Sequence, residues 1–127
     1  MENEIVKPTY QEKFDSFIEE CNAGQVDGEA VGKVIVHLAQ EFANYNMILS
    51  AKEMRLNVIA ANMVQSTDES SGKPISVSKA ELLIKATEEY SDVRRTKIDL
   101  ENIENFINSL KFLQRGILQE YSHMGGS

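Results

Sequence analysis

The chain has 127 residues, 42% of them hydrophobic and 26% charged, a size and balance that suit one globular domain around one core. Two prolines, seven glycines and a single cysteine exclude collagenous, proline-rich and disulfide-framed classes. The formal net charge of −7 argues against a basic nucleic-acid groove, and no apolar run reaches the length of a membrane span.

The first ten residues, MENEIVKPTY, are acidic and lack the apolar stretch of a secretory signal, so a cytoplasmic location is expected. Residues 1–8 read as a flexible lead-in. Thr9-Tyr10-Gln11-Glu12 has capping-box spacing, with Thr9 as the cap and Glu12 reaching back. Tyr10, Phe14, Phe17, Ile18 and Cys21 then recur at helical spacing, and Asn22-Ala23-Gly24 supplies a stop. A short first helix is predicted over 10–22.

Asp27 is a suitable N-cap for a second helix over 28–64, with Gly28 and Glu29 in its first turn. Val31, Ile35, Leu38, Phe42, Tyr45, Leu49, Lys52, Leu56, Ile59 and Met63 alternate steps of four and three, a heptad seam with one polar member. Such a helix is roughly 55 Å long at 1.5 Å per residue.

Residues 65–78 interrupt this pattern with Ser, Asp, Gly and Pro and read as a loop. Ser78-Lys79-Ala80-Glu81 offers another capping box, with Ser76 as an alternative cap. A third helix is predicted over 79–122. Its seam runs through Leu83, Ala86, Tyr90, Val93, Lys97, Leu100, Ile103, Ile107 and Leu110, then Ile117 and Tyr121 after a slip near Gln114. Gly116 is a weak point in that helix, and residues 123–127 read as a flexible tail.

Two long helices joined by a short loop fold back on each other. The predicted fold is therefore all-α: a long antiparallel helical hairpin, coiled-coil-like, with the short N-terminal helix packed at its open end. With the turn centred near residue 71, facing positions sum to about 142. Ile59 then meets Leu83, and Lys52 and Lys97 fall opposite Tyr90 and Tyr45. At the open end the first helix can bury Phe14, Phe17 and Ile18 against Phe106, Leu113 and Ile117.

The charge is uneven. Residues 1–30 carry −6, residues 31–64 +1, and 65–78 and 79–127 −1 each. The densest basic cluster, Arg94-Arg95 with Lys97, is flanked by Asp92 and Asp99 and reads as a solvated helix face. Catalytic signatures are missing from the sequence: there is no HExxH, Walker loop, GxSxG or GxGxxG. Cys21 reads as a small buried hydrophobe, and His37 and His123 read as surface histidines. One Glu120-x-x-His123 and one His37/Glu41 pair fall short of a di-iron ligand set, so no metal and no cofactor is expected. Seven asparagines on the two long helices (Asn44, Asn46, Asn57, Asn62, Asn102, Asn105 and Asn108) read as polar filler or as contacts across an interface.

The loop half of the hairpin carries a second set of apolar residues beyond its seam. Met47, Ile48, Val58, Leu82, Ile84 and Ile98, with Met54 beside them, form the candidate interface for self-association or a protein partner. KPISVSKAELLIKATEEY followed by KIDLENIENFINSLKFLQRGILQE resembles small all-helical proteins encoded by tailed bacteriophages, over about residues 72–120. That resemblance implies a phage setting, in the host cytoplasm or the virion. The expected function is a non-enzymatic helical interaction or assembly protein, a homo-oligomer that also binds protein. One alternative is an oligomeric protein sequestering a small signalling nucleotide, with Lys73, Ser76, Arg94 and Arg95 as ligand contacts. Another is an accessory to phage DNA replication or recombination, which would bind single-stranded DNA in a salt-dependent way.

Overall fold

A computed structural model describes residues 7–24 and 27–125, with side chains as far as Glu120. It is all-α: α1 (Thr9–Asn22), α2 (Gly28–Val64), α3 (Val77–Lys85) and α4 (Glu88–Gly125). The long α2 and α4 form the antiparallel hairpin, and the short α1 packs at its open end. Most of the expected lead-in and the side chains of the expected tail lie outside the described residues. The helical backbone of α4 nevertheless continues to Gly125, past the expected end near 122, since no glycine or proline intervenes between Gly116 and Gly125.

The residues fall into two compact units where one core was expected. The first comprises α1, α2 as far as Ala43, and α4 from Glu101. Its core is Tyr10, Phe17, Val31, Leu38, Ile103 and Leu110. Phe14 stacks on Phe106 with ring centroids 4.0 Å apart, and Tyr10 tilts against the same ring at 6.0 Å. Gln114 donates from Nε2 to the carbonyl of Gly28 at 3.3 Å, tying α4 to the start of α2. Asn102 is the one half-buried asparagine of the seven, with its Nδ2 3.5 Å from the Tyr10 hydroxyl.

Three of the four helix starts differ from, or refine, the sequence reading. Asp27 caps α2 as expected, its carboxylate accepting from the Ala30 amide at 2.8 Å. Thr9 does not cap α1. Pro8 occupies the N-cap position, its carbonyl accepting from the amides of Gln11 and Glu12, and Thr9 is already helical. Ser76, not Ser78, caps α3, accepting at Oγ from the Lys79 amide at 3.2 Å. At the end of α1, Gly24 adopts φ +76° and its amide bonds the carbonyl of Cys21, the left-handed stop that the Asn-Ala-Gly run implied.

The predicted third helix is two helices. α3 ends at Lys85, and Thr87 starts α4 afresh, accepting at its hydroxyl from the Tyr90 amide at 3.2 Å and donating to the Ile84 carbonyl at 2.6 Å. Glu88 and Glu89 then occupy the first turn, where carboxylates complement the helix dipole. The link between α2 and α4 therefore spans 65–87 and is centred near residue 76 rather than 71.

Within the second unit, Asn44–Leu100, both seam lysines meet other partners than the expected tyrosines. Lys52 donates from Nζ to the hydroxyl of Thr96 at 2.9 Å, six positions beyond the expected Tyr90. Lys97 is exposed and lies 4.0 Å from Glu53 rather than in the seam. Lysine stems span several ångströms, so each reaches past the position opposite its own Cα, while Arg55 and Glu89, whose numbers sum to 144, line one groove. The buried line on α4 is Val93, Thr96 and Leu100, with Thr96 only 3% exposed. The methyl of Thr96 packs in the seam while its hydroxyl donates back to the Asp92 carbonyl, which is how a polar residue serves there.

The loop of this unit is held together by a short antiparallel bridge between Thr67 and Pro74. Asp68 donates its amide to the Lys73 carbonyl at 2.7 Å, and Gly72, at φ +69°, donates to the Asp68 carbonyl at 2.8 Å. The Asp68 carboxylate accepts from Lys79 Nζ, the Ser70 amide and the Ser70 hydroxyl. These bonds, Lys79 foremost, hold its pKa down to about 2.

Candidate interaction surface

On α2 within the second unit, Tyr45, Leu49, Lys52, Leu56, Ile59 and Met63 are half-buried toward the hairpin. The opposite side of the same helix is also apolar. Met47, Ala51, Met54, Val58 and Ala61 step by four and three along it, and all are exposed. Met47 is 73% exposed, Met54 70% and Val58 61%. A helix apolar on two opposite sides commonly has a neighbour on each, and among the described residues only one side is occupied. Ala51, Met54 and Val58 line a shallow groove together with Arg55, Ile59 and Glu89.

The other predicted interface residues are distributed over this unit. Ile48, Leu82 and Ile98 are exposed, as expected. Ile84 is half-buried and leaves the set, while Leu83, expected to face Ile59 in the seam, is exposed. The cause is the break at Ala86-Thr87. A seam extrapolated backwards from α4 assigns the wrong phase to α3, which instead buries Ala80 and turns Ile84 inward. The sequence signal for this break was Thr87-Glu88-Glu89, a cap residue followed by two acids.

The four expected ligand contacts are not assembled into a site. Ser76 Oγ is committed to capping α3, and Arg95 is paired to Asp92 at 2.8 Å. Arg94 and Lys73 are exposed, on α4 and in the loop respectively. The loop cleft of about 350 Å³ is lined by residues that include Asp68, Glu69, Ile75, Lys79 and Leu83, and by none of those four.

Burial pushes the Cys21 thiol up from its ordinary value, and Glu20 adds to the effect, so the thiolate a nucleophile needs is disfavoured. His37 is half-buried rather than a surface residue, with Nε2 4.0 Å from the Glu41 carboxylate. The His123 side chain lies outside the described residues. Among the described residues, no group of three or more His, Cys, Asp or Glu side chains could hold a metal ion. No helix among them is long and apolar enough to cross a membrane. No protein-family model, curated protein or solved structure matches this chain.

Proposed function

We propose that this chain is a non-enzymatic helical interaction protein that acts through self-association and by binding another protein. The observation that carries this reading is the exposed stripe Met47, Ala51, Met54, Val58 and Ala61 on α2. Apolar side chains gain roughly 1.5–3 kcal/mol each when fully buried. Leaving two methionines and a valine in line on one exposed helix face forgoes several such contributions, which a docked partner restores. The phage setting belongs to the same proposal and rests on the resemblance of residues 72–120 alone.

Met54→Glu combined with Val58→Glu tests the reading, because both positions are exposed and glutamate is a good helix former. Tagged wild-type chain purified from its own cells is expected to retain bound protein, other copies included, that the variant loses at unchanged helical content. Identical co-purifying protein from the two would refute a role for this surface.

A further inference from the structure

We propose that the α2 stripe is occupied by a second copy of the same chain, laid antiparallel across it about a two-fold axis between Ala51 and Met54. This rests on the reading of the stripe as a contact surface and names its occupant and geometry.

The first argument is the order of side-chain sizes. In an antiparallel pair of heptad stripes, each position after a step of four faces a position after a step of three. With the axis between Ala51 and Met54, Ala51 faces the partner's Met54, and Met47 faces the partner's Val58. Each large, flexible methionine thus meets a smaller residue, and two-fold symmetry repeats each layer. Asn44 and Ala61 form the outermost layers, so the apolar part ends on both copies at the same place. A parallel arrangement would stack Met47 on the partner's Met47 and Ala51 on the partner's Ala51, alternating crowded and empty layers.

The second argument is electrostatic. The whole chain carries −7, but residues 44–100 hold eight Lys and Arg against eight Asp and Glu, a net charge of zero. The unit that bears the stripe is therefore the part of the chain on which two copies meet no net repulsion. The residues that flank the stripe agree with this. On one side Ser50 lies beside the partner's Asn57, and both are uncharged and able to hydrogen-bond. On the other side Arg55 lies beside the partner's Ile48, so its aliphatic stem covers an exposed isoleucine and no like charges face each other.

The test uses the full chain in a Cys21→Ser background. Sedimentation equilibrium of otherwise unmodified protein at tens of micromolar is expected to give twice the 14.3 kDa of one chain. Ala51→Glu should return it to one chain's mass. Ala51→Cys and Met54→Cys chains, distinguished by a mass tag, are then mixed and oxidised. The mixed disulfide should exceed both same-residue disulfides, since only the antiparallel layer brings those two positions level. Predominant same-residue disulfides would overturn the antiparallel geometry. A protein that stays at one chain's mass would overturn the second copy as occupant, whereas the contact reading itself is decided by the co-purification comparison, which a monomer can still pass.

Discussion

The hydroxyl of Thr96 accepts from Lys52 at 2.9 Å and donates to the Asp92 carbonyl at 3.0 Å, in a residue almost wholly withdrawn from water. Thr96→Val should therefore leave the Lys52 ammonium without that acceptor, at a cost of about 1 kcal/mol. Adding Lys52→Met removes the donor as well and should recover most of the loss, so the two substitutions are expected to be non-additive in urea midpoints. Asp68 presents the other residue-scale case. Its folded pKa of about 2 lies below the ordinary carboxylate range, so the ionised form is favoured by folding. The corresponding stability is fully present above the unfolded pKa near 4 and is lost as pH falls through about 2. Asp68→Asn should flatten the acid side of the stability profile in that window. An NMR titration of the wild-type Asp68 carboxyl should place its midpoint well below that of an exposed aspartate.

At the scale of elements, caps decide where helices begin and hence which residues share a face. Ser76→Ala should cost about 1 kcal/mol, because the Lys79 amide loses its acceptor at the start of α3. Ser78→Ala, inside the first turn, should change the denaturation midpoint little, which separates the two candidate caps directly. Gly116 lies within α4, and a methyl group added there would meet nothing within 4 Å. Gly116→Ala should accordingly stabilise the first unit by about 1 kcal/mol through helix propensity. The break at Ala86-Thr87 matters more than either. By restarting the helix at Glu88 it gives α3 a separate phase, in which Ile84 turns inward and Leu83 outward.

For the whole molecule, charge and apolar surface are partitioned. The acid is carried by the first unit, whereas residues 44–100 are electrically balanced and expose Met47, Met54 and Val58. An association through those residues links folding to concentration, since the bound state is available only to folded chains. The thermal midpoint is expected to rise with protein concentration in the wild type and to be flat in Met54→Glu. Added salt should shift such an association slightly upward at most, because residues 44–100 carry no net charge and the charge of the rest of the chain is screened.

Periodicity and local chemistry determined much of this protein in advance of any tertiary contact. The heptad spacing from Val31 to Met63, the Asp27 cap and the Gly24 stop specify the first two helices, because each depends on neighbours a few positions away. The exposed methionines and valine of α2 were legible for the same reason, as apolar residues on the wrong side of a seam. Register was not. It depends on where a helix is interrupted, and the restart at Thr87 gives α3 a phase of its own from within a stretch whose periodicity looks unbroken. Hence Ile84 trades places with Leu83. Helical spacing identifies which residues can share a face, but only the packed structure decides what that face meets, because the energy that selects the register comes from contacts between segments far apart in sequence.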